Sequence, residues 1–135
     1  MDRVIVDTSA WIEALRRGGD EVIRNAVARL LKHSVILMPG IIRAELLRGT
    51  KTKNEFEELS GLLDGLEYLP MDEPFWDRLA GFSFDLFRKG ITVPFVDTCI
   101  ALLTIESKAK LLHYDKHFEL IARHSPLSIL RADEV

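Results

Sequence analysis

Apolar residues follow two patterns along the chain: short continuous runs, and longer stretches in which they recur every three to four positions. Continuous runs are typical of strands buried on both faces of a parallel sheet. Recurrence at three to four positions is typical of helices with one buried face. The pattern predicts strands at residues 4–6, 35–38, 67–69, 110–113 and 127–130. The Pro-Gly pair at residues 39–40 is predicted to form a turn.

Helices are predicted between these strands, with capping residues and glycines at their ends. Asp20 caps the helix that contains Ile23 and Val27, and Pro94 opens the helix that carries Asp97. The remaining helices are predicted at residues 8–17, 41–48, 52–63, 74–89 and 116–123. Strands that alternate with helices indicate an α/β fold. We therefore expect a three-layer sandwich in which helices flank a central parallel sheet of four to five strands.

The composition has the proportions of a soluble globular protein. The chain has 135 residues, of which 47% are hydrophobic and 29% are charged, and we expect a single domain over residues 1–135. No apolar run approaches the ~18 residues of a membrane span, and residues 4–6 are too short for a signal peptide. We therefore expect a cytoplasmic protein with no membrane partner. The single cysteine, Cys99, excludes an internal disulfide and a zinc site built from several cysteines.

The formal charge of −3 argues against a protein that holds nucleic acid by an overall positive field. If the substrate is RNA, a local feature must hold it. Divalent cations bound in an acidic pocket would reverse the charge of that pocket and could hold RNA there.

Two acidic residues follow predicted strands. Asp7 comes directly after residues 4–6, and Asp115 comes shortly after residues 110–113. In open α/β sheets, ligands bind beyond the carboxyl ends of the strands, at the point where the strand order reverses. If these two strands are neighbours at that point, the two carboxylates meet at one edge of the sheet.

Two further acids lie on predicted helices among apolar neighbours. Glu45 follows Ile41 and Ile42 at helical spacing, and Asp97 lies in the first turn of its helix. Carboxylates near apolar surface are costly unless a positive charge compensates them. Four converging acids would require a cation, and oxygen ligands favour Mg²⁺ or Mn²⁺. Such a site supports phosphoryl chemistry, because the ion activates water and offsets charge on the phosphate.

Each acid also has a simpler structural interpretation. Asp7 and Asp115 would each suit a helix N-cap, Glu45 a surface charge, and Asp97 a residue that matches the helix dipole. Taken singly, these interpretations are at least as good as the functional one. Taken together they explain less, because capping alone does not account for acids directly after two apolar strands.

Four segments of the chain resemble the PIN-domain family and, within it, the VapC toxins of VapBC toxin–antitoxin systems. Asp-Thr-Ser alone is a weak signal, but four segments in order, covering nearly the whole chain, are a strong one. The segments are Val4-Ile5-Val6-Asp7-Thr8-Ser9, Arg43-Ala44-Glu45-Leu46, Asp97-Thr98-Cys99-Ile100-Ala101 and His113-Tyr114-Asp115-Lys116-His117-Phe118.

The resemblance implies both a site and a function. It implies a parallel sheet with Asp7, Glu45, Asp97 and Asp115 gathered around one or two Mg²⁺ or Mn²⁺ ions. It also implies cleavage of RNA by metal-activated water. Members of the family are usually dimers, and a VapC toxin is silenced by a cognate VapB-like antitoxin that covers the active-site groove. We expect both partners here, a second copy of the chain and an antitoxin.

Other residues of these segments are candidates for supporting roles. Ser9 matches a family position that often carries a hydroxyl or amide near the acids, and Thr8 is the weaker candidate for that role. Some members place a threonine two residues before the last aspartate, where this chain has His113. His113 and His117 are not assigned as metal ligands, because hard cations prefer oxygen and a strand-to-helix break separates the two residues.

Basic residues near the acids in the sequence are candidates for contacts with the RNA backbone. Such contacts would position RNA without specifying its sequence. The candidates are Arg43, Arg48 and Lys116.

Two other functions compete with a ribonuclease toxin. A Mg²⁺-dependent phosphatase or phosphoacceptor domain would use Asp7 as its nucleophile, but it would need a second acid close by, and Thr8 and Ser9 follow instead. A catalytically silent PIN-fold module that binds a partner would be expected to have lost an acid, and all four are present. The expected function is therefore a metal-dependent endoribonuclease, the toxin component of a type II toxin–antitoxin system.

Overall fold

The structure is a computed structural model that describes residues 2–135. Its strands are β1 (Arg3–Val6), β2 (Val35–Pro39), β3 (Glu67–Leu69) and β4 (Lys110–Leu112). Its helices are α1 (Thr8–Leu15), α2 (Glu21–His33), α3 (Gly40–Arg48), α4 (Lys53–Asp64), α5 (Glu73–Arg88), α6 (Phe95–Glu106) and α7 (His117–Arg123), and a 3-10 helix covers Ala132–Glu134.

The strands form one parallel sheet in the order β3-β2-β1-β4. In the centre, Ile5 pairs with Leu37 of β2 on one side and with Leu111 of β4 on the other. The strand order reverses between β1 and β4, because the chain builds outward from β1 to β3 and then returns to add β4. The Asp7 amide donates to the Leu112 carbonyl at 2.9 Å, so the β1–β4 pairing continues one residue beyond β1. The carboxyl ends of β1 and β4 therefore lie side by side.

The core confirms the predicted α/β arrangement, a parallel sheet flanked by helices. Val4, Ile5 and Val6 are all buried, so both faces of β1 are covered. Helix α6 is buried at every residue from 98 to 104, as expected of a helix that packs on all sides. This packing fixes the start of α6, and with it Asp97, against the sheet. No helix within residues 2–135 has the length and apolar character needed to cross a membrane.

Two predicted elements differ in the structure. The Pro-Gly turn at residues 39–40 is wrong, because Pro39 ends β2 in extended backbone, paired with Leu69, and Gly40 begins α3 directly. The fifth strand at residues 127–130 is reduced to a single parallel bridge between Leu111 and Ile129. After this bridge the chain turns into the 3-10 helix, so the sheet has four strands, the lower of the two numbers expected.

Candidate active site

Asp7 lies at the end of β1 and is the N-cap of α1. Its carboxylate accepts hydrogen bonds from the Ser9 amide at 2.9 Å and the Ser9 hydroxyl at 2.5 Å. The side chain is buried, and this burial raises the pKa of Asp7 above its ordinary value, with a smaller contribution from the charge of Glu45. The capping interpretation of Asp7 is thus correct, but a cap alone does not require a buried acid beside other acids.

Glu45 lies in the middle of α3, and its side chain approaches the start of α1. The Thr8 hydroxyl donates to Glu45 Oε1 at 2.7 Å, joining residues that are 37 positions apart in the sequence. Thr8, the weaker candidate for a supporting role, thus also forms a hydrogen bond to an acid, as Ser9 does to Asp7. The two hydroxyls therefore hold two different acids.

Asp97 lies in the first turn of α6, and only 13% of its side chain is exposed. Burial and the charges of Asp7 and Asp115 raise the pKa of Asp97 to about 6. The rise indicates that three of the four acids share one environment, since each of these neighbours disfavours ionised Asp97.

Asp115 lies in the loop between β4 and α7, beside His117. Nδ1 of His117 is 2.9 Å from Asp115 Oδ1 and 3.1 Å from Asp97 Oδ2, so the ring lies between two carboxylates. The Asp115 carboxylate also accepts from the His117 amide at 3.0 Å. Ligand atoms from Asp97, Asp115 and His117 all lie within 4.8 Å of one another, a separation that one metal ion could span.

His117 is the residue of this cluster that is not assigned to the site from the sequence. The two histidines face different partners, as the strand-to-helix break between them predicts: His113 faces Glu119, and His117 faces Asp97 and Asp115. What the sequence could not give is the position of Asp97, which is 20 residues away from His117. The one available signal was that His117 follows Asp115 at a distance of two residues, the spacing of a capping contact.

Ser9 connects the ends of β1 and β4. Its hydroxyl donates to Asp7 and accepts from the Tyr114 amide at 2.9 Å. This bridge fixes the backbone next to Asp115 relative to Asp7. The side chain of Tyr114 itself is exposed.

The predicted RNA contacts differ in their surroundings. Arg43 Nη2 donates to the Ser60 hydroxyl at 2.7 Å and lies 3.0 Å from an Asp64 carboxylate oxygen, so it joins α3 to α4. Arg48 and Lys116 are exposed, and neither forms an ion pair within residues 2–135. An RNA contact stays a prediction for all three residues, and Arg43 already bonds to Ser60 and Asp64 of α4.

The arrangement suits a hard divalent cation. Its donors are carboxylate oxygens, with hydroxyls and one imidazole beside them, and burial together with mutual repulsion already raises the pKa of Asp97. A cation would relieve this repulsion and bring positive charge to the switch point of the sheet, where a ligand binds.

Comparisons with known proteins give consistent matches. A family model described as PIN domain matches residues 4–124. Ribonuclease VapC11 of Mycobacterium tuberculosis and VapC ribonuclease Mb1587 of Mycobacterium bovis are each 35% identical over 124 residues, covering 89% of this chain and 92% of the relative. The solved structure of VapBC2 from Rickettsia felis, bound to a DNA fragment from the promoter, is similar with a TM-score of 0.77. It is 22% identical and covers 95% of this chain and 97% of that chain.

Proposed function

The chain belongs to the PIN-domain family, and from this premise we propose that it is a metal-dependent endoribonuclease and the toxin of a type II toxin–antitoxin pair. The observation that carries the proposal is the convergence of acids from β1, α6 and the β4–α7 loop at the switch point of the sheet. The 35% identity to two proteins named as VapC ribonucleases supports RNA as the substrate.

Asp7, Glu45, Asp97 and Asp115 would hold one or two Mg²⁺ or Mn²⁺ ions. The fit rests on the donor set and on the raised pKa of Asp97, which repulsion from Asp7 and Asp115 helps to produce. When bound, such an ion activates water, polarises the phosphate and offsets charge on the leaving oxygen.

The protein's own residues orient these acids. The Ser9 hydroxyl and amide hold one oxygen of Asp7, and the Thr8 hydroxyl holds one oxygen of Glu45. In each case the second carboxylate oxygen is left for another ligand. His117 shares its Nδ1 between Asp97 and Asp115, and it keeps these two carboxylates close together.

RNA would be held near the site by local positive charge rather than by the whole molecule, whose net charge is −3. Arg48 and Lys116 are the exposed basic candidates, and Arg43 would need to leave Ser60 and Asp64 to reach a phosphate. Contacts of this kind position the backbone and leave base specificity to other groups.

Cleavage of a labelled RNA mixture by the purified protein tests this function. We expect cleavage with Mg²⁺ or Mn²⁺, none with EDTA, and a loss of at least about a hundredfold in Asp97→Asn. Asp77→Asn is the matched control, because it makes the same change at an exposed position in α5. Equal cleavage by Asp97→Asn and wild-type protein would overturn the assignment of the site. Folded protein that cuts no RNA with either metal would favour a PIN-fold module that only binds a partner.

The partners belong to the same proposal. A toxin of this class would act as a homodimer and be silenced by a VapB-like antitoxin that covers the acids. We expect expression of the wild-type chain to arrest bacterial growth, co-expression of a DNA-binding protein encoded directly upstream to relieve the arrest, and Asp97→Asn to be harmless. Growth arrest by Asp97→Asn as strong as that by wild type would show that the toxicity does not depend on these acids.

A further inference from the structure

A hydrogen-bonded chain of three side chains runs from the C-terminal segment to the loop that carries Asp115. Arg131 donates from both terminal nitrogens to the Glu119 carboxylate, at 2.8 and 2.9 Å. Glu119 Oε2 lies 2.6 Å from Nε2 of His113. Nδ1 of His113 then accepts the Asp115 amide at 3.1 Å. The chain therefore ends on the backbone of an acid of the site.

These contacts assign the proton of the His113 ring. Nδ1 accepts from a backbone N–H and so carries no proton itself, which places the ring proton on Nε2, where it faces the Glu119 carboxylate. The Arg131 hydrogen bonds lower the pKa of Glu119, with help from His113, so its carboxylate is ionised and is a strong acceptor. The ring is held at both nitrogens and has one orientation.

Packing supports the same orientation. Only 10% of the His113 side chain is exposed, and its ring lies 5.3 Å from that of Phe118, which is fully buried. Arg131 follows Leu130, whose amide donates to the Leu111 carbonyl at 2.8 Å. Both ends of the chain of contacts are thus anchored next to β4, because His113 directly follows that strand and Arg131 follows a residue bonded to it.

We propose that His113, oriented by Glu119 and Arg131, is a positioning residue that holds the Asp115 loop so that Asp115 and His117 face Asp97. This inference rests on the proposed metal site. Removing a side chain that orients a metal ligand lowers metal affinity by about 10–100-fold. His113 acts here on the backbone of the ligand residue rather than on its carboxylate.

Two substitutions of His113 test the roles of its two ring nitrogens separately. His113→Asn keeps an acceptor for the Asp115 amide at the position of Nδ1 but loses the group that contacts Glu119. His113→Gln keeps a group that contacts Glu119 at the position of Nε2 but loses the acceptor for the Asp115 amide. Glu119→Ala removes the anchor at the surface. Its matched control is Glu106→Ala, because Glu106 pairs with both Nε and Nη2 of Arg78 at similar exposure, at the far end of α6 from Asp97.

Two measurements on the full chain read out the effect without RNA. The first is Mn²⁺ affinity, from the electron paramagnetic resonance signal of the free ion. The second is the hydrogen-exchange rate of the Asp115 amide in metal-free protein. We expect His113→Gln and Glu119→Ala to weaken Mn²⁺ binding about tenfold or more and to speed that exchange, with a smaller loss in His113→Asn, which keeps the acceptor, and with Glu106→Ala near wild type. Saturating Mn²⁺ should restore cleavage in Glu119→Ala.

The outcomes distinguish this inference from the proposed function. Wild-type Mn²⁺ affinity in Glu119→Ala and His113→Gln, with affinity lost in Asp97→Asn, would overturn the positioning role and leave the metal site standing. A loss in Glu119→Ala no larger than that in Glu106→Ala would overturn it as well. Undiminished Mn²⁺ binding by Asp97→Asn would instead overturn the metal site itself. If His113→Gln does not fold, Glu119→Ala decides the question, since its side chain is one-third exposed.

Discussion

At the scale of single residues, ionised Asp97 destabilises the folded, metal-free protein. Burial and two neighbouring carboxylates raise the pKa of Asp97 from its ordinary value of 3.8 to about 6. Because the folded-state pKa lies above the unfolded-state value, ionisation of Asp97 is harder in the folded protein. The destabilising effect is absent at low pH and develops as the pH rises from about 4 to about 6.

Asp97→Asn should therefore stabilise the metal-free protein at pH 7 while it removes most of the cleavage. We expect a gain of about 1–3 kcal/mol in the free energy of unfolding, because the variant removes a charge that its neighbours oppose. Thermal unfolding in EDTA at pH 7 and at pH 4 measures it, and the gain should disappear at pH 4. A variant less stable than wild type at pH 7 would mean that the contact with His117 outweighs the repulsion.

At the scale of elements, the corner between α1 and α2 is fixed by close backbone approach. Glu13 is buried, and its carboxylate accepts from Arg16 at 2.9 Å and from the Asp20 amide at 3.0 Å. A Cβ added to Gly19 would lie 1.9 Å from the Glu13 carbonyl oxygen. Only glycine fits there.

The same substitution should have opposite effects in two elements. Gly19→Ala should destabilise by about 1–3 kcal/mol, because backbone must move to admit the methyl group. Gly81→Ala, inside α5 with open space around the added atom, should stabilise by about 0.5–1 kcal/mol through helix propensity. Urea unfolding of both variants tests this, and a shift of the same sign in both would contradict the packing described for the corner.

At the scale of the whole molecule, the chain is negatively charged overall and concentrates several of its acids at one edge of the sheet. A site of this kind gains stability when a cation binds, because the cation binds the folded state and not the unfolded chain. The metal would thus serve both the fold and the chemistry.

Mn²⁺ should raise the melting temperature of the wild-type protein. At about a hundred times the dissociation constant, the stabilisation should be about 2.7 kcal/mol, whereas Asp97→Asn should gain much less. Thermal scans with Mn²⁺, and with NaCl at equal ionic strength, measure the specific effect. An equal rise in both proteins would indicate that the ion binds elsewhere.

Local patterns were enough to predict most of the fold. Continuous apolar runs predicted β1, β2 and β4, and the cap Asp20 predicted the start of α2, because both depend on neighbours in sequence. The failures lie where the fold overrides such patterns. Pro39 continues a strand because its pairing with Leu69 extends the sheet, and the segment at residues 127–130 has only Leu111 as a strand partner.

For the site, the sequence by itself determined the places of the acids: Asp7 and Asp115 after strands, and Glu45 and Asp97 on helices. Those are consequences of residue type and spacing. Only the tertiary structure decided which residues surround the acids: His117 between Asp97 and Asp115, Thr8 on Glu45, and His113 behind the Asp115 loop. Contacts between residues 20 or 37 positions apart depend on how β1, α3, α6 and β4 pack, and no local pattern records that packing.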